Sequence, residues 1–106
     1  MSYRFMRMLI MFDLPVVSPD DRRNYRKFRK MLIRNGFIMM QESIYTKIVL
    51  TPSAAASAVA VLRRNKPPAG LVQVLTITEK QFSRIENISG TYESDVVNSD
   101  ERIIIL

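Results

Sequence analysis

An α+β sandwich, with two helices laid over one face of a single sheet, is the fold class this sequence predicts. Three observations predict it. Apolar, strand-like runs alternate with two segments of helical periodicity, in the order β-α-β and then β-α-β. Both helical segments open on the same device, a hydroxyl residue followed by proline, at Ser18-Pro19 and at Thr51-Pro52. The chain has 106 residues, 47% hydrophobic and 25% charged, which is the size and composition of one small globular domain. A domain this small often gains stability by associating with a second copy.

The first strand is read over residues 4–13. Met6, Met8, Ile10 and Phe12 fall on one side and Phe5, Arg7, Leu9, Met11 and Asp13 on the other, so both sides are largely apolar. The first helix starts at the Ser18 cap, with Pro19 in its first position and Asp20 and Asp21 where the dipole favours negative charge. It stops at Asn35-Gly36. At roughly 100° per residue, Tyr25, Phe28, Met31 and Leu32 gather on one face. Arg22, Arg23, Arg26, Lys27, Arg29, Lys30 and Arg34 occupy the other, so the polar face is almost wholly cationic.

The run "FIMMQESIYTKIVL" reads as two strands, 37–40 and 44–50, joined by a polar turn at 41–43. The second helix follows Thr51-Pro52-Ser53 and runs through an alanine-rich body to Arg64, with Ala55, Val59 and Leu62 expected inside. Asn65 to Gly70, with its Pro-Pro pair, is a loop. Residues 71–78 form the fourth strand, and 82–90 has room for a helical turn. Two βαβ halves with right-handed crossovers make the split βαβ, or ferredoxin-like, βαββαβ sandwich. The core is assigned to 1–80 and a C-terminal extension to 81–106.

In this arrangement both helices cover one sheet face and leave the other bare, with Leu9, Met11 and Asp13 upon it. A monomer rarely tolerates such an apolar patch, and each large side chain gains about 1.5–3 kcal/mol on burial. A two-fold homodimer with packed sheets is therefore expected. After a polar linker at 91–99 the chain ends in "ERIIIL". This additional C-terminal strand, 103–106, is too short to stand alone and needs a sheet edge. The edge of the fourth strand is available, either within the subunit or across to the partner.

The sixteen Lys and Arg against ten Asp and Glu leave a net charge of +6, which favours an anionic partner, nucleic acid ahead of membrane. There is no cysteine and no histidine. Disulfides, Cys/His zinc sites, cysteine nucleophiles and imidazole bases are thereby excluded. Arg4 and Arg7 interrupt the early apolar run, so it does not read as a signal peptide, and no stretch approaches the roughly 20 apolar residues of a membrane span. No membrane association and a cytoplasmic location are the expectations.

The segments "RMLIMFDLP", "RRNYRKFRKMLIRNGFIMMQESIYTKI" and "NKPPAGLVQVLTITEKQF", with the terminal isoleucine strand, resemble the CRISPR-associated protein 2 family over nearly the whole chain. The "DLP" and the hairpin after Gly36-Phe37 are similar to members from systems whose effector is a single large RNA-guided nuclease. The resemblance implies a ferredoxin-like homodimer that bridges two dimers of the integrase, CRISPR-associated protein 1, during spacer acquisition. It also implies a metal-dependent endonuclease acting on RNA or DNA. The family's strand-end aspartate maps onto Asp13, which with its symmetry mate would bind a divalent ion, usually magnesium.

Asp13 admits two readings. Two carboxylates meeting near a dimer axis either raise the proton affinity of one partner or recruit a cation, and magnesium is commonly held by one or two carboxylates plus waters. Alternatively, Asp13 ends a strand before Leu14-Pro15 and accepts turn hydrogen bonds. Tyr45 and Ser43 are placed where they approach the same face, able to orient a water or phosphate or simply to pack. Arg22, Arg23, Arg26, Lys27, Lys30 and Arg34 form a stripe suited to a phosphate backbone, and Arg63, Arg64 and Lys66 extend it. No base-reading motif accompanies them, so contact with double-stranded protospacer DNA would be independent of sequence. Met6, Met8, Met11, Met31, Met39 and Met40 read as core packing. Three functions follow: an adaptation scaffold, a magnesium-dependent endonuclease using Asp13, and an RNA-binding module. The Lys/Arg-Gly-aromatic strand motif of the last is absent.

Overall fold

The structure is a computed structural model that describes residues 5–90. Its elements are β1 (Met6–Asp13), α1 (Pro19–Arg34), β2 (Ile38–Gln41), β3 (Ile44–Val49), α2 (Pro52–Arg64), β4 (Leu71–Thr78) and α3 (Glu79–Phe82). The strands form one sheet in the order β2-β3-β1-β4, with every neighbouring pair antiparallel. This is the ferredoxin-like topology that the repeated βαβ halves predict, with α3 added. The expected linker at 91–99 and terminal strand at 103–106 lie outside the described residues.

Local sequence accounts for the helix boundaries. The Ser18 hydroxyl accepts from the Asp21 backbone N–H at 3.0 Å, and the Asp21 carboxylate accepts from the Ser18 N–H at 3.1 Å. This reciprocal box satisfies two donors that the first turn of α1 would leave open. At the far end Gly36 takes φ +87°, and the backbone turns back toward β2. Thr51 repeats the capping move for α2, its hydroxyl accepting from Ala54 N–H at 3.0 Å.

The core lies between the sheet and the helices. Phe28, Met31 and Leu32 of α1 pack with Met8, Ile10 and Phe12 of β1, Tyr45 and Val49 of β3, Phe37, and Ala58 and Leu62 of α2. Phe12 is its aromatic centre, edge-on to Phe28 at 5.2 Å and tilted against Tyr45 at 5.7 Å. Two expectations need correction here. On α2 Leu62 is buried as expected, but its buried companion is Ala58, while Ala55 and Val59 pack against the core only half-buried. Met39 is exposed and Met40 half-buried rather than packed in the core. They sit on a four-residue edge strand whose register shifts between Met39 and Gln41, where little lies over them.

The register fixes which side chains share a face and which elements share an end. Met6 pairs with both Val49 and Thr78, while Asp13 pairs with Leu71. The start of α1 and the end of α2 thus lie at the Asp13 end of the sheet, and Gly36, the start of α2 and α3 at the Met6 end. Facing away from the helices are Arg7, Leu9, Met11 and Asp13, flanked by Ile44, Thr46 and Ile48 and by Leu71, Gln73, Leu75 and Ile77. Leu71, Leu75 and Ile48 are exposed; Leu9 and Thr46, in the middle, are shielded by their neighbours.

This face is not uniformly bare. Arg7 Nε and Nη2 donate to the two Glu79 carboxylate oxygens at 2.7 and 2.9 Å, and the guanidinium lies 4.1 Å from the centre of the Phe82 ring. The helical turn expected within 82–90 is therefore displaced to Glu79–Phe82. There a second capping box, Thr78 with Gln81, starts it. Four residues do not hold a helix by themselves; the forked ion pair and ring stacking clasp α3 over the Met6 end. The Arg7 hydrogen bonds hold the Glu79 carboxyl below its ordinary value, opposed in part by desolvation and helped by the Arg7 charge.

Candidate nucleic-acid interface

The cationic side chains of α1 are all exposed, but they are not equivalent. Arg22 Nη1 donates to the carbonyls of Val16 and Val17 at 3.2 and 2.8 Å, tying down the loop that precedes its own helix. Arg23 pairs with Asp20 at 2.9 Å in an exposed i,i+3 contact worth a few tenths of a kcal/mol at most, about 0.3. Arg29 Nε donates to the buried Tyr45 hydroxyl at 2.8 Å. Arg26, Lys27, Lys30 and Arg34 form no ion pair among the described residues. From Arg23 to Arg34 the stripe rises about 16 Å at 1.5 Å per residue. Arg63 and Arg64, in the last turn of α2, and Lys66 in the loop beyond are exposed as well, at the Asp13 end.

Asp13 is exposed at the end of β1, on the face turned away from the helices. Its carboxylate makes no hydrogen bond among the described residues, so the reading in which it accepts turn hydrogen bonds gains nothing. Its backbone is what the fold uses. Gly70, at φ +98°, approaches so closely that a Cβ there would lie 2.6 Å from the Asp13 carbonyl oxygen. The expected company of Tyr45 is a correction. Tyr45 pairs with Ile10 and is completely buried on the helix side, opposite to Asp13. The cause is the strand's period of two, which sends Ile44 and Thr46, not Tyr45, to the open face. Ser43 sits in the hairpin turn, where its carbonyl accepts from Phe12 N–H at 3.0 Å.

The donor chemistry at Asp13, a hard carboxylate oxygen, suits magnesium, which is commonly held by one or two carboxylates with waters completing its shell. Among the described residues no three acidic side chains come together. One chain offers one such carboxylate at this position.

A cleft of about 390 Å³ lies at the opposite end, between the first turns of α2 and the end of β3. Phe37, Val49, Ala54, Ala58 and Val61 line it, with Lys47 as its one charged residue. Lys47 Nζ is engaged there with the Asn35 carbonyl at 2.6 Å. No acid–base pair converges in it. Among the described residues no helix is long and apolar enough to cross a membrane.

Sequence reasoning missed the Arg7–Glu79–Phe82 clasp, although an arginine in the middle of an apolar strand is a signal that a partner must exist. It also missed that Arg22 and Arg29 spend their donors internally, which no spacing rule reveals.

The geometry is that of a small βαββαβ unit with one cationic helix ridge and a single acid at the end of its first strand. The family described as CRISPR associated protein Cas2 matches this chain over residues 6–85. The chain belongs to that family. Among its relatives is a protein from Treponema denticola named CRISPR-associated endoribonuclease Cas2, 50% identical over 95% of this chain and 100% of its own length. A protein of the same name from Streptococcus mutans serotype c is 45% identical over 95% of this chain and 93% of its own. A crystal structure of a Cas2 protein superposes with a TM-score of 0.60, covering 85% of this chain and 92% of that one. At 16% identity that likeness speaks for the fold alone.

Proposed function

We propose that this protein is the scaffold subunit of CRISPR adaptation. Two copies pack by their open sheet faces, hold two dimers of the integrase, CRISPR-associated protein 1, at a fixed span, and bind the protospacer duplex along their cationic ridges. The integration chemistry then belongs to the integrase. The observation that carries this reading is the ridge itself: Arg26, Lys27, Lys30 and Arg34 point to solvent without an ion-pair partner among the described residues. The ridge displays no stacking platform. Phe28 is buried and Tyr25 half-buried beneath it, and single-strand binders rely on exposed aromatic rings. A duplex backbone, read without regard to sequence, is what such a surface suits.

The test is spacer acquisition by folded variants. Arg26→Glu/Lys30→Glu/Arg34→Glu is expected to abolish acquisition, and Asp13→Ala to leave it intact. Loss of acquisition in a folded Asp13→Ala dimer overturns the reading in favour of a catalytic Asp13.

A second reading is a magnesium-dependent endonuclease acting on RNA or DNA. The names of the relatives and the exposed Asp13 carboxylate, which makes no hydrogen bond among the described residues, favour it. It requires the Asp13 carboxylates of two subunits to share the ion, and the ion would supply Lewis-acid assistance to phosphodiester hydrolysis. Cleavage by purified dimer should then disappear both with chelator and in Asp13→Ala; cleavage that survives the substitution rejects this assignment.

A further inference from the structure

The cations of the helix layer are distributed unevenly. α1 carries them along its whole outer face, from Arg23 near its start to Arg34 at its end. α2 lies beside it in the opposite direction, because β1 and β3 are antiparallel and each feeds its own helix. Its outer surface is neutral for most of its length: Ser53, Ala54, Ala56, Ser57 and Ala60 are exposed. Its only charges, Arg63 and Arg64, fall in the last turn.

The segment after α2 is held firmly. Pro67, Pro68 and Ala69 line a small cleft with Leu14, Pro15, Asp21, Asn24 and Tyr25, and Gly70 is pressed against the Asp13 carbonyl. The two prolines remove backbone freedom next to Lys66. Lys66 is therefore presented from an anchored segment between the end of α2 and the start of α1.

We infer that the anionic ligand of this face follows an L-shaped track. Its long arm runs along Arg26, Lys27, Lys30 and Arg34 of α1; its short arm crosses Arg63, Arg64 and Lys66; the corner lies at the Asp13 end. The neutral first turns of α2 are left uncontacted. This rests on the nucleic-acid reading above and deepens it by assigning a path. Packed helices lie about 8–10 Å apart, close to the Debye length of about 8 Å at physiological salt. A backbone following α1 thus passes within electrostatic reach of all of α2, and only one end of α2 rewards it. Arg63 and Arg64 also offset the dipole of their own helix, but Lys66 stands beyond the helix and has no such role.

The test is binding of a labelled, random-sequence DNA duplex to the full chain, read by fluorescence anisotropy across a salt series, with circular dichroism to verify folding. Arg63→Gln/Arg64→Gln/Lys66→Gln is expected to weaken binding about tenfold or more at physiological salt and to make the log–log salt slope shallower by about 0.9 per lost contact. Lys80→Gln/Arg84→Gln, which removes two exposed positive charges on and just after α3, away from the helix layer, is expected to stay within about threefold of wild type, because screening confines their effect to their own surroundings. An unchanged slope in the first variant removes the short arm. An equal loss in the second shows diffuse attraction and overturns the track while leaving nucleic-acid binding in place. Wild-type protein that shows no salt-dependent binding removes the nucleic-acid reading and the track together.

Discussion

The two faces of one sheet carry side chains of similar oiliness and meet opposite fates. On the helix side Met8, Ile10 and Phe12 are buried under α1 and α2. On the other side Leu71 and Leu75 stay exposed, Leu9 is covered only by its neighbours in the sheet, and α3 covers just the end where Arg7 holds Glu79. Alternation along a strand says which residues travel together. It does not say what will lie on top of them. The helix side is completed within one chain, whereas the open side is a surface that suits a second copy.

The comparison can be broken most forcefully at the aromatic centre. Phe28→Ala removes a buried ring that meets Phe12 edge-on and should cost about 3–5 kcal/mol in denaturant unfolding. A loss near zero would mean that the helix side is not the stabilising layer. Gly70→Ala comes next, because a Cβ there would collide with the Asp13 carbonyl and the backbone already sits at φ +98°. A destabilisation of about 2 kcal/mol or more is expected, and a neutral result would show that the contact relaxes at little cost.

Leu75→Glu addresses the open side. Leu75 is exposed, so the subunit's own fold should change by less than about 0.5 kcal/mol. Sedimentation should nevertheless shift from dimer to monomer at micromolar concentration. A dimer that persists unchanged would mean that the copies do not meet through this face.

The smallest effect is assigned to the clasp. Glu79→Gln keeps the shape but loses the charge that Arg7 holds, and because both side chains are partly wet the loss should stay below about 1 kcal/mol. Its pH dependence has a definite sign. A carboxyl whose folded value is depressed contributes stability that is present above its unfolded value, near 4.5, and is lost as pH falls through the lower folded value. The difference between wild type and Glu79→Gln should therefore be full at neutral pH and vanish under acid. A difference that grows on acidification would contradict the ion pair.

Much of this was legible beforehand, for reasons that differ by element. The start of α1 was readable because a capping box is a local bargain among four consecutive residues, Ser18 to Asp21. β4 was readable because the loop with its Pro-Pro pair and Gly70 marks where it starts, and β-forming residues run on from there to Thr78. Asp13 and the cations were readable as residues, but their circumstances were not. Arg22 and Arg29 look like their neighbours in the stripe, yet one closes on Val16 and Val17 carbonyls and the other on Tyr45. Tyr45 itself was expected beside Asp13, and only the register with Ile10 sends it to the core.

By itself the sequence determined the order of elements, the caps that bound the helices, the one-sided charge of α1 and the absence of thiol and imidazole chemistry, because each depends on neighbours in the chain or on composition. The tertiary structure alone decided that Ala58 joins Leu62 as the buried side of α2, that an arginine of β1 clasps a turn begun 72 residues later, and that Gly70 is pressed against the Asp13 backbone. Those contacts depend on how distant segments meet, and periodicity along one segment carries no information about the segment that will lie across it.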